Sequence, residues 1–329
     1  MPNSVELPSP MNAAGYASRR VTKPPNWHGL VAFDMLFNNM TTGLFLVAAA
    51  GELMSRPAFG RLTWLAYPLA LLFLTIDLAC LVLDLGHRFR FHHMLRVFKP
   101  SSPMSLGTWC LTAYSIPLGL LATIEVLEMA GIREIPAWMR WASIATGIPF
   151  AMGSAMYKGV VFSTTSQPGW KDARWLGGYL TNSAIAIGCA ELLAIADLLG
   201  QGPYLAIRTS LLALLAINLG FLLVLRVEIR PAIRTLKEGS RLNSMLILGT
   251  AVGVWVPAIL FLVSGNVPAI VSVIIDEIAV VLVLAGNFLV RRSIVMLPHH
   301  ENDDGAVARW DGDHESSEPT RSRTDHRRT

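Results

Sequence analysis

Apolar residues in this chain fall in long unbroken runs. They show neither the narrow stripe of a soluble amphipathic helix nor the strict alternation of a half-buried strand. Eight runs reach the ~20 residues needed to cross ~30 Å of hydrocarbon: 28–53, 61–84, 104–130, 137–163, 174–199, 204–226, 242–264 and 267–290. In lipid every backbone N–H and C=O must be paired within the protein, and continuous apolar runs achieve this as helices, whereas barrel strands would alternate. The pattern predicts an all-α integral membrane protein with eight transmembrane helices over residues 27–293, arranged as two four-helix bundles. The polar segments 1–26 and 297–329 are expected to be disordered tails. Ala48–Ala50 imitates a signal-peptidase site, but the apolar run before it is too long for an ordinary signal segment, so it reads as a retained first helix.

Composition agrees with that pattern. Of the 329 residues 53% are hydrophobic and 15% charged, and the mean hydropathy is +0.47. If eight helices alternate in direction, 22 of the 27 Lys and Arg fall on the side of the termini. The positive-inside rule then makes both termini cytoplasmic, with the protein in a cell membrane. The net charge of +4 is accordingly a topology signal, not a sign of nucleic-acid binding.

Several chemistries find no residues to carry them. Cys80, Cys110 and Cys189 are isolated, so the chain has no ligand set for an iron–sulfur cluster. No histidine falls at mid-membrane, so a transmembrane haem with two axial histidines is not expected, and no other metal site is evident. Walker A, GxSxG and HExxH motifs are absent.

Ionisable residues inside the spans carry the functional information, because each costs a few kcal/mol to insert and tends to face a partner or cavity. Asp34 and Asn38 are four apart on the first helix, and Asp77 and Asp84 seven apart on the second, so each pair shares a face. Tyr157 and Lys158 lie toward the same end of the fourth helix. Asp34, Asp77, Asp84 and Tyr157 can converge with the basic connection 85–103 on one pocket. A second group lies toward the other end: Glu125, Glu191, Arg208, Asp276 and Glu277. Of these, Glu191, Arg208, Asp276 and Glu277 form a candidate proton path, and Glu125 and Glu128 read as interfacial acids. Plainer readings coexist. Asp84 can pair with Arg88 at a helix end, Tyr157 can be an interfacial anchor, and His92 and His93 can be solvated. Arg226, Arg230 and Arg234 can be simple positive-inside anchors. Prolines at 117, 149 and 257 predict kinks, and Gly177, Gly178, Gly188, Gly249 and Gly253 predict close helix contacts.

The connection Asp84–Met104 is DLGHRFRFHHMLRVFKPSSPM, basic and aromatic where a helix connection could be short and bland. The segment DLGHRFRF…FKPSSPMSLGTW (Asp84–Trp109) and the segment YKGVVFSTTSQPGW (Tyr157–Trp170) resemble the NrfD-like membrane subunits, a family that includes the polysulfide reductase anchor. The resemblance implies a quinone site (menaquinone or ubiquinone) in the first four helices. Tyr157 matches the family tyrosine that bonds a quinone oxygen, and Asp84 an acid ending the second helix. Asp34 stands where the polysulfide reductase anchor has a histidine, and Val31 where an asparagine is expected. The resemblance also implies partners: an iron–sulfur subunit over the basic connection, meeting Arg88, Arg90, His92, His93, Arg96 and Lys99, and beyond it a molybdopterin or cytochrome catalytic subunit. The chain would then be no enzyme by itself.

The chemistry is consistent with this. Quinol oxidation releases two electrons and two protons, so a pocket needs a hydrogen-bond donor for the headgroup and acids to take protons. Tyr157 supplies the first; Asp84, with Asp34 or Asp77, supplies the second. The charge asymmetry places this docking side toward the cytoplasm. Rival readings are a secondary transporter or ion-conducting protein built on Glu191, Arg208, Asp276 and Glu277, a proton pump within a redox complex using the same acids, and a passive anchor.

Overall fold

A computed structural model of the chain describes residues 27, 29–85, 87–132, 135–167, 169–235 and 239–300. The tail 1–26 and residues 301–329 lie outside these residues, as do Arg133 and Lys237 of the charge count; Leu297–His300, expected to open the disordered C-terminal tail, instead form a 3-10 turn with Leu297 buried. Among the described residues the structure is entirely helical. The long helices are α1 (Gly29–Phe59), α2 (Thr63–Asp84), α3 (Pro103–Met129), α4 (Ala137–Ser163) and α5 (Leu176–Leu199). They are followed by α6 (Tyr204–Thr235), α7 (Gly239–Ser264) and α8 (Ala269–Val295). Short 3-10 turns occupy Arg88–Leu95 and Leu297–His300.

Seven of these helices are long and apolar enough to cross a membrane, and the expected count of eight is not reproduced. The exception is α4. It has 27 residues but carries Arg140, Ser143, Ser154 and Lys158, all buried against other helices. Its polar groups are directed into the protein, so its composition understates how apolar its outer surface is.

The helix ends follow local chemistry. α3 starts at Pro103, a residue pre-set for a first turn, behind Ser102, whose hydroxyl accepts from the Ser105 N–H. The first expected span stopped at residue 53, whereas α1 runs to Phe59 with a break at Ser55 (φ −160°, ψ 89°). Pro57, two residues on, lacks an N–H and crowds the preceding turn. α6 continues nine residues past the expected end at 226, to Thr235. Arginines favour helix, so leaving the hydrocarbon does not end the element. In α7 the kink expected at Pro257 appears as a π-helical turn, Ala251–Trp255, directly before it. A wider turn accommodates the missing donor.

Helices α1–α4 pack among themselves, as do α5–α8, and the two groups meet mainly through α1 against α5. Of the apolar window of α1, 78% is buried, against 28% for α2 and α6, so α1 is the central helix. Without a hydrophobic force between helices in lipid, tight crossing depends on small residues. A Cβ on Gly188 of α5 would fall 2.1 Å from the Gly43 carbonyl carbon of α1, and one on Gly286 of α8 2.1 Å from the Gly253 nitrogen of α7. Both crossings bring backbone onto backbone.

Cross-links fix which helix ends lie together. Lys158 meets Asp34, and Trp170 meets Ile294. Trp175 meets Glu228 at the same end. Arg140 meets Glu52, Arg61 meets Gln201, and Arg208 meets Asp276 at the opposite end.

Candidate functional site

A cleft of about 250 Å³ opens between α1, α2, α3 and α4 beside the turn Arg88–Leu95. Its polar lining is Asp34, Asp84, Tyr157 and Lys158; Leu81, Met94, Met104 and Phe162 supply much of its apolar wall. Three of the four residues expected at a quinone site, Tyr157, Asp84 and Asp34, therefore share one cavity. Asp84 is exposed at the cleft, whereas Asp34 is buried. Tyr157 is held by shape: a Cβ on Gly107 of α3 would fall 1.9 Å from Tyr157 Cδ2. The Lys158 ammonium lies 5.6 Å from the centre of the Tyr157 ring.

The fourth residue, Asp77, is fully buried and lies behind the cleft, joined to it through Lys158. Lys158 Nζ donates to Asp77 Oδ1 (3.2 Å) and to the Asp34 carbonyl oxygen (3.1 Å). It also sits 2.9 Å from Asp34 Oδ1, an ionic contact outside hydrogen-bond alignment, since that oxygen has no hydrogen-bond partner. Asn38 Nδ2 donates to Asp77 Oδ2 (3.2 Å) and to Ser154 Oγ (3.1 Å). With both acids ionised and Lys158 protonated, this cluster carries one net negative charge, so a single proton neutralises it. The charge count used Lys158 only as a marker of the side of the termini; in the structure it is the central cation of a buried triad with Asp34 and Asp77. The legible sign was a lysine next to Tyr157 within an apolar run, on a helix facing two spans with acids.

Arg88, Arg90, His92, His93, Arg96 and Lys99 are all exposed on the connection, near Phe89 (93% exposed) and Val97 (67%). This is a basic and apolar surface resting on α2 and α3, and its Met94 reaches the cleft wall. On the neighbouring connection, Trp170 is buried and donates from Nε1 to the Ile294 carbonyl (2.7 Å). It stacks on Trp27 and meets Phe162 edge-on. The tryptophan of the Tyr157–Trp170 segment thus fastens that connection to the end of α8.

The other expected group is divided. Arg208 pairs with Asp276, which is fully buried, and donates to Ser272 Oγ (2.7 Å). Glu277 is exposed on another face of α8, and Glu191 is buried with neither carboxyl oxygen hydrogen-bonded. Among the described residues no hydrogen bond or ion pair connects Glu191 or Glu277 to the Arg208–Asp276 pair. Glu125, expected at the interface, is instead fully buried. Arg140 binds both Glu125 and Glu52, donating from Nε to Glu52 Oε1 (3.0 Å), and from Nη2 to Thr63 Oγ (3.2 Å). The Tyr67 hydroxyl donates to Glu52 Oε2 (3.1 Å). Sequence reading missed Glu52 and Arg140 as partners because they are 88 residues apart. Arg291, counted as a topology charge, is also buried, and donates to Ser183 Oγ and to the Asn287 side-chain oxygen. Removing Lys158 and Arg291 from one side and Arg140 from the other preserves the charge asymmetry.

The fold and these clusters define a multi-pass helical membrane protein with a polar cleft at one end of its first four helices. A family model described as polysulfide reductase, of the NrfD type, matches residues 16–302, and the chain belongs to that family of membrane subunits of oxidoreductase complexes. No curated protein sequence matches the chain significantly.

Proposed function

We propose that the chain is the quinone-binding anchor of a respiratory oxidoreductase complex, crossing the membrane eight times with both termini in the cytoplasm. The observation that carries the reading is the cleft that gathers Tyr157, Asp34, Asp84 and Lys158 next to an exposed basic surface. A volume of about 250 Å³ is close to the ~300 Å³ lower bound of ordinary small-molecule pockets, enough for a ring headgroup with its apolar tail left in the bilayer. α4 counts as the eighth span because Arg140 and Lys158 are internally paired at its two ends.

The bound quinone supplies two-electron redox chemistry. Tyr157 orients a headgroup oxygen by hydrogen bonding. Asp84 and Asp34 accept protons at the cleft wall. Lys158, held by Asp77, keeps the Asp34 carboxylate in place and offsets its charge. Electrons pass to an iron–sulfur subunit seated on Arg88, Arg90, His92, His93, Arg96 and Lys99, and from there to a molybdopterin or cytochrome catalytic subunit. Proton translocation is an extension of this reading. Its candidate relay is Asp34–Lys158–Asp77, which leads inward from the cleft, with Asn38 and Ser154 holding the inner carboxylate in place.

The test is purification of the tagged chain from its native membranes in mild detergent, with partner identification and quinone extraction. An iron–sulfur protein and quinone are expected together. A single chain lacking both would favour transport instead. In the assembled complex Tyr157→Phe should lower quinol turnover about 10-fold, the order expected for one neutral hydrogen bond. Unchanged turnover would refute the role of Tyr157.

A further inference from the structure

A second cavity lies at the same end of the protein but on the other four helices. α6 overruns its apolar section and carries Arg226, Arg230 and Arg234 at four-residue intervals, so they follow one face. A rise of 1.5 Å per residue spreads them over about 12 Å along the axis. All three line a cavity of about 700 Å³, whose opposite wall is the first turn of α7 with Ser240 and Asn243. The two helix ends approach closely, since a Cβ on Gly239 would fall 1.9 Å from the Ile233 carbonyl oxygen.

The three guanidinium groups are exposed, and among the described residues none forms an ion pair. Glu228, the acid nearest Arg226 and Arg230 in sequence, accepts from the Trp175 backbone N–H instead, and Glu238, the acid nearest Arg234, lies outside the described residues. At the membrane end the lining changes to Leu223 and Val227, 56% and 72% exposed. These residues continue the outward apolar surface of α6. The cavity thus has a cationic rim with hydroxyl and amide groups opposite and an apolar floor open to the bilayer, at the level where the helix passes from apolar to charged. Guanidinium forks match phosphate oxygens in geometry as well as charge.

We propose that this cavity is a binding site for an anionic glycerophospholipid. Arg226, Arg230 and Arg234 hold the phosphate, with Ser240 and Asn243 facing it, and the acyl chains lie along Leu223 and Val227. A lipid fits better than a docked protein because the floor is continuous with the bilayer-facing surface. Arginines serving only as topology anchors would need no cavity and would not prefer one headgroup.

Native mass spectrometry of the full-length detergent-purified protein, titrated with phosphatidylglycerol, cardiolipin or phosphatidylcholine, tests this. Anionic lipid should be retained at least ~10-fold better than phosphatidylcholine, and the triple variant R226Q/R230Q/R234Q should lose most of that preference. Ser240→Glu, which places a carboxylate in the cavity and leaves the arginines intact, should lower it in the same direction; this covers the case in which the triple variant fails to fold. Arg90→Gln with Arg96→Gln, on the other connection, should leave it unchanged. Equal loss in that control would mean diffuse electrostatics and overturn the site. Displacement of lipid by inorganic phosphate at matched concentration would overturn the lipid assignment. So would unaltered lipid retention in the triple variant together with loss of a partner subunit, which would make this a protein interface.

Discussion

Gly107→Ala tests both the geometry of the cleft and its proposed role. The added methyl would lie 1.9 Å from Tyr157 Cδ2 and 2.2 Å from Cγ. Non-bonded carbons rest ~3.5–4.0 Å apart, so the ring must retreat by about 1.5–2 Å. Rotation of the ring about Cβ–Cγ leaves Cγ where it is, so either α3 and α4 separate or Tyr157 changes its χ1 rotamer and leaves the cleft. A misplacement of ~1 Å in a positioning group can cost on the order of 10²-fold in rate. In the assembled complex, steady-state quinol oxidation should therefore fall at least about 10-fold, the loss assigned to removing the Tyr157 hydroxyl, and toward ~10²-fold where the displaced helices also shift the neighbouring acids. Gly119→Ala on the same helix is the control, because nothing lies within 4 Å of a Cβ there, and it should retain the parent rate. A detergent melting curve for each variant separates loss of packing from loss of turnover. Parent-like turnover and KM in Gly107→Ala would refute the placement of Tyr157 as the positioning group.

Two further outcomes follow from the buried clusters. Arg140→Met leaves Glu52 and Glu125 buried without their cation, which should cost about 3–5 kcal/mol and appear as a lowered melting temperature and poor folded yield. Adding Glu52→Gln and Glu125→Gln should recover much of that loss, and no recovery would show that the arginine acts through packing alone. Trp170→Phe keeps the aromatic stack but removes the bond to Ile294, costing about 0.5–1.5 kcal/mol. Limited proteolysis should then cut within 164–175 faster than in the parent, and an equal rate would mean the bond does not hold this connection.

The sequence by itself determined the helical class, most helix starts and the family, because uninterrupted apolar runs in lipid admit few alternatives; three helices run five to nine residues past their expected ends, since a helix does not stop where the apolar run does. It also located the chemistry on the first four helices: Asp34, Asp84 and Tyr157 were legible as polar residues at matching heights, and they do share a cleft. Tertiary structure alone decided which charges face protein and which face water. Lys158, Arg140 and Arg291 read as topology markers, yet each is buried, and their partners come from other helices. Helical spacing reveals neighbours along one helix but not the rotation of two helices about each other. That rotation depends on close crossings such as Gly43 with Gly188. The same rotation separates Asp276, fully buried against Arg208, from Glu277, one residue on and exposed. A step of ~100° about the helix axis is enough to turn an internal ion pair into an outward-facing acid.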